Sequence, residues 1–196
     1  MVSKIMNARN CIPEQCRTCG GALRLGGPIW SDRIHQSEFV NRVYNKAKED
    51  DCKLGTKSRI KGTLGGIIDE ELLSTYPLNY DFTKVGSDIK LVSPTKEQII
   101  AGFRSINYIL CQTYYSGYLW KTNAPPEVIY EVFKQFKLQK YPEEDVFRNC
   151  KEGTLAHKIL SKASLELPIN FDVAQVDHKI KTENAKRKYF QKPTDA

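Results

Sequence analysis

The sequence predicts an α+β protein that is mostly helical. Three observations carry that expectation. Apolar residues recur at helical spacing in several separate segments, and Thr95-Lys96-Glu97-Gln98 has the form of a capping box opening one of them. Two β-prone runs, Tyr108 to Tyr114 and Tyr118 to Thr122, flank Ser116-Gly117 and read as a β-hairpin. The resulting order of helix, short strand, helix, helix and hairpin is that of a winged-helix-like core. In that arrangement the third helix and the hairpin commonly meet nucleic acid, and domain packing or protein contact is the other common use.

Each element has its own warrant. The first thirty residues are turn-rich and irregular, with an N-terminal segment rich in Cys and Gly that ends at Gly26-Gly27-Pro28-Ile29-Trp30. Ser37 is placed to cap a helix with Phe39, Val40, Val43, Tyr44 and Ala47 on one face. Glu49-Asp50-Asp51 ends it. The next helix aligns Ile60, Leu64, Ile67, Ile68 and Leu72 in one stripe. Its Gly62-Thr63-Leu64-Gly65-Gly66 run follows no strand, so helix packing through small residues is the expected role. Leu78-Asn79-Tyr80 is long enough for one bridging strand only. Asp81 caps a short helix that buries Phe82, Val85 and Ile89, and the helix behind Thr95 buries Ile99, Ile100, Phe103 and Ile106. Pro125-Pro126 open a helix carrying Val128, Ile129, Val132, Phe133 and Phe136. From about Tyr141 the periodicity fades, apart from Leu155, Ile159 and Leu160 after Gly153-Thr154. Three stretches follow: a partial zinc-knuckle-like segment and GGPxW loop over 1–35, the winged-helix-like domain over 36–140, and an extension with a basic tail over 141–196.

The chain has 196 residues with 30 Lys plus Arg against 23 Asp plus Glu, a net charge of +7 that modestly favours a polyanionic partner. No stretch approaches the roughly 18 consecutive apolar residues of a membrane span. MVSKIMNARN lacks the apolar core of a secretory signal, so the protein is not expected to be secreted. Lys57, Arg59 and Lys61 stand at the start of a helix, where its dipole disfavours them; a phosphate or a plain solvated surface accounts for them equally well. Lys96, Arg104 and Lys121 are the nucleic-acid candidates on the third helix and hairpin. In the tail, Lys186, Arg187 and Lys188 precede Tyr189 and Phe190, a pairing of cations with stackable rings that suits exposed RNA bases; a flexible solvated terminus has the same composition.

Of the six cysteines, Cys16 and Cys19 have the spacing of half a zinc knuckle. A closed site needs four ligands, so free thiols, or a site completed from outside this chain, are the alternatives to a complete zinc site with Cys11 as third ligand and Cys52 or His35 as a remote fourth. No GxSxG, HExxH or P-loop is present, and none of the nine prolines follows the Asp or Asn of a base-amine methyltransferase motif. Without an alternating strand–helix series for a Rossmann sheet, this chain alone is expected to be catalytically inactive.

Cys16 to Val40, CRTCGGALRLGGPIWSDRIHQSEFV, resembles a segment of eukaryotic tRNA (guanine-N2-)-dimethyltransferases, in which a CxxCG knuckle precedes Gly-Gly-Pro-x-Trp, an Ile-His pair and a Glu-Phe-Val helix start. The similarity continues through Arg59 to Leu72, Phe103-Arg104-Ser105, Lys121 to Pro126 and Val128-Ile129, with echoes at Gly153-Thr154, Ile159-Leu160-Ser161 and Lys188-Tyr189-Phe190-Gln191. The resemblance implies the tRNA-binding C-terminal domain of such an enzyme, which makes N2-methyl- or N2,N2-dimethylguanosine at tRNA position 26. It also implies S-adenosylmethionine as the methyl donor, bound by a catalytic Rossmann half absent from this chain, and that half as a second partner beside tRNA. A winged-helix protein-interaction domain packing on the catalytic half is the alternative. The implied compartment is the nucleus, then the mitochondrion or cytosol. Two departures stand out: the second CxxC of the knuckle is missing, and the family's closing run is altered at Lys192-Pro193-Thr194.

Overall fold

A computed structural model describes residues 13–17, 20–49, 55–92 and 94–173. Helices α1 (Ser37–Lys48) and α2 (Lys57–Glu70) pack side by side, and one 3-10 turn, Glu71–Leu73, follows α2. Strand β1 (Tyr80–Asp81) leads directly into α3 (Phe82–Asp88), then come α4 (Lys96–Ser105), β2 (Leu110–Gln112), β3 (Leu119–Thr122) and α5 (Pro126–Lys140). Two short helices, α6 (Glu143–Val146) and α7 (Leu155–Leu160), complete the described part. The protein is thus α+β, with a three-stranded antiparallel sheet in the order β1-β3-β2. No helix among the described residues is long and apolar enough to cross a membrane.

Local chemistry explains most of the boundaries. The Asp81 carboxylate accepts from the amides of Thr83 and Lys84, so α3 starts where an acceptor meets its orphan donors. Thr95 and Gln98 exchange the two bonds of a capping box at α4, and Thr154 accepts from His157 N at α7. Ser37 does not cap α1: the N-cap is Gln36, without a side-chain bond, and the Ser37 hydroxyl is buried without a partner among the described residues. The stripe on α2 also ends sooner than its spacing suggests. Leu72 lies beyond the last α-helical turn and is exposed, whereas Gly65 and Gly66 are buried, as helix packing through small residues requires.

The core is one cluster built from α3, α4, β3 and α5. Phe82 stacks on Phe103 and Trp120 and meets Phe133 edge-on, with ring centroids 5.2 to 5.7 Å apart. Ile159 and Ile169 belong to the same cluster, and Leu155, Leu167 and Phe171 pack against it. The apparent fading of periodicity after Tyr141 has a physical cause. Helices of four and six residues are too short to display a helical repeat, and Leu167, Ile169 and Phe171 alternate along an extended segment instead. Gly102 is where that segment closes on α4, since a Cβ there would stand 2.6 Å from the Phe171 ring.

A candidate nucleic-acid interface

The α4–hairpin face is built from the capping box outward. Lys96 is the first residue of α4, and its ammonium donates to Gln112 Oε1 on β2 at 2.9 Å. Partial burial lowers the Lys96 pKa, and neighbouring Glu97 partly offsets this. Arg104, in the last turn of α4, is exposed and free to reach outward. Beyond β2 the hairpin tip presents Tyr115 and Tyr118, the latter 72% exposed. Gln112 also donates to Gly117 O and so braces the tip from inside. Sequence reasoning did not single out these two tyrosines, although their position astride Ser116-Gly117 is the signal that marks them.

Lys121 has a different place from the one its type suggested. It is 8% exposed, and its ammonium lies 3.3 Å from Glu70 Oε2. Glu70 Oε1 in turn accepts from Tyr114 N at 2.5 Å. The Lys121 charge is therefore neutralised inside the protein, where it ties the end of α2 to the hairpin. Buried charges persist only when paired in this way.

Next to that pair lies a cleft of about 440 Å³ lined by Trp30, Arg33, His35, Ile67, Glu71 and Pro77 among others. Arg33 Nη1 stands 3.2 Å from Glu71 Oε1 across its mouth, without the alignment of a hydrogen bond. His35 rests edge-on against Tyr114, with ring centroids 5.4 Å apart.

The remaining candidates are divided between two places. At the α1–α2 corner, Lys57 donates to the Glu49 carbonyl, Arg59 is exposed and Lys61 is half-buried. Lys186, Arg187, Lys188, Tyr189 and Phe190 lie outside the described residues.

Cys16 heads a tight turn in which Gly20 N donates to Cys16 O and Cys16 N to Gly21 O, both at 2.8 Å, with Gly20 at φ +70°. Cys19 lies outside the described residues. Two thiolates do not close a tetrahedral shell, and no group of three or more His, Cys, Asp or Glu able to hold a metal occurs among the described residues. No zinc site is formed among the described residues, and Cys11, Cys19 and Cys52 lie outside them.

Residues 2–134 match the family model described as TRM, N2,N2-dimethylguanosine tRNA methyltransferase. The chain belongs to that family. It is 30% identical over 154 residues to the mitochondrial tRNA (guanine(26)-N(2))-dimethyltransferase of Saccharomyces cerevisiae, covering 76% of this chain and 26% of the relative. The mouse tRNA (guanine(26)-N(2))-dimethyltransferase is 25% identical over 164 residues, covering 84% of this chain and 24% of its own. The Drosophila melanogaster enzyme of the same name is 32% identical over 126 residues, covering 64% and 22%. The chain thus spans about a quarter of the length of these relatives. No solved structure matches it.

Proposed function

We propose that this chain is the tRNA-holding C-terminal domain of a tRNA guanine-N2 methyltransferase. It would serve an enzyme that makes N2-methyl- and N2,N2-dimethylguanosine at position 26, in the nucleus or the mitochondrion. Family membership carries the reading. Two helices between β1 and β2, a hairpin, and the sheet order β1-β3-β2 support a winged-helix-like arrangement over the 36–140 domain. In it, α4 and the hairpin offer Lys96, Arg104, Tyr115 and Tyr118 to RNA: the cations for phosphates and the rings for unpaired bases. The 141–196 extension would add the basic tail, Lys186 to Phe190. S-adenosylmethionine, which supplies the methyl group, is assigned to the other three quarters of the full-length enzyme.

The test is binding of labelled tRNA by the purified chain, with Lys96→Gln/Arg104→Gln as the variant. Severalfold weaker binding by the variant supports the face assigned here, and equal binding refutes it.

A second reading, contact with the catalytic half, is favoured by one observation: Leu25, Ile29, Trp30 and Ile34 are each more than half exposed along the segment before α1. It expects the two parts to co-purify when expressed separately, while this chain alone ignores tRNA.

A further inference from the structure

Cations from two helices meet at one residue. Lys46 Nζ, in the last turn of α1, lies 2.5 Å from Glu49 Oε2, and Lys57 Nζ, in the first turn of α2, donates to the Glu49 carbonyl. Lys48, in the same last turn of α1, has its ammonium 4.1 Å above the Tyr44 ring, and Arg59 and Lys61 follow on α2. Over residues 46–61 the sequence carries six cations against three carboxylates, nearly half of the chain's net charge of +7. Five of these cations, Lys46, Lys48, Lys57, Arg59 and Lys61, lie on the two packed helices.

The Lys46–Glu49 ion pair at this corner is open to water. The Lys46 side chain is 68% exposed and that of Glu49 50% exposed, and an ion pair so open to water contributes little. An incoming anion can therefore replace Glu49 at little cost. Flexible ammonium groups present point charges without the planar fork that reads base edges.

We propose that the α1–α2 corner is a docking site for the phosphodiester backbone of RNA, gripped without base readout by the ammonium groups of Lys46, Lys48 and Lys57. This rests on the tRNA reading above and adds α1 to the contacting surface, through two lysines that the sequence pattern did not single out.

The experiment is a titration of labelled tRNA with the whole chain across a range of salt concentrations. Wild type is compared with Lys46→Gln/Lys48→Gln and with Lys151→Gln, an exposed position outside the corner. Each lost phosphate contact should make the slope of log affinity against log salt shallower by about 0.9 on paired RNA, so the double variant should lose roughly 1 to 2 units of slope. Lys151→Gln should keep the wild-type slope. An unchanged slope in the double variant, or an equal loss in Lys151→Gln, overturns the corner while leaving the tRNA reading in place. No tRNA binding by the wild type at low salt overturns that reading and the corner with it. Capture by phosphatidylserine vesicles without tRNA binding would overturn it in favour of a membrane surface.

Discussion

The body formed by α3, α4, the hairpin and α5 hides its large apolar residues, with Phe82, Phe103 and Phe133 at most 2% exposed. The limb before α1 does the reverse: Leu25, Ile29, Trp30 and Ile34 face solvent, and α1 buries only Val40 and Ala47. The contrast separates a part that is stable through its own packing from a part whose large apolar side chains face solvent. Burying apolar side chains is the main source of folding stability, so the two regions should respond very differently to the same kind of substitution.

The largest effect is expected in the body. Phe103→Ala removes a ring with no exposed surface and should cost about 3 to 5 kcal/mol in urea unfolding. A loss under 1 kcal/mol would mean that the aromatic cluster does not hold the body together. Next comes the joint between the regions. Glu70→Ala leaves Lys121 buried without its counter-ion and Tyr114 N without its acceptor, a loss of about 3 kcal/mol. Adding Lys121→Met should recover part of that loss, because the stranded charge is then gone. If the double variant is no more stable than the single one, the joint is held by something other than the ion pair.

A smaller effect depends on pH. Lys137 is 2% exposed and donates to Ile89 O at the end of α3; burial lowers its pKa, partly offset by the Cys150 thiol beside it. A lysine whose folded pKa is depressed penalises folding while it is charged, so stability should rise as pH climbs through the folded value toward 10.5. Tyr80 and Tyr115, whose pKa values are raised chiefly by burial, oppose this only above about pH 10, where unfolded tyrosines ionise. Below the ordinary lysine value of 10.5, Lys137→Met should flatten the rise in unfolding free energy without abolishing it, since Lys96 shifts in the same direction. An identical pH dependence in the variant would remove Lys137 from the account. The smallest effect belongs to the limb: Trp30→Ala should stay within about 0.5 kcal/mol of wild type. A loss above 2 kcal/mol there would erase the distinction between the regions.

Much of the body could be read in the sequence because its signals are local. Asp81, Thr95 with Gln98, and Thr154 are caps whose acceptor and donors lie within three residues, so their bonds are encoded by spacing. Lys121 shows where local reading stops. Its position in the hairpin suggested an outward cation, but its partner Glu70 is fifty-one residues earlier, on a helix whose approach no local pattern records. Ser37 fails for the opposite reason: the residue type suits a cap, yet the chain turns one residue sooner, at Gln36. The pairing of Lys46 with Lys57 around Glu49 was equally hidden, because it exists only once α1 and α2 lie side by side.

The central claim is the proposal that the cations of α4 and of the α1–α2 corner are addressed to tRNA. A binding isotherm of the 196-residue chain for tRNA, taken at about 50 and about 200 mM monovalent salt, tests it most directly. The account predicts measurable binding at the lower salt and a loss of about tenfold or more at the higher, as counterions released from phosphates dictate. Absence of binding at the lower salt, or binding indifferent to salt, would contradict it.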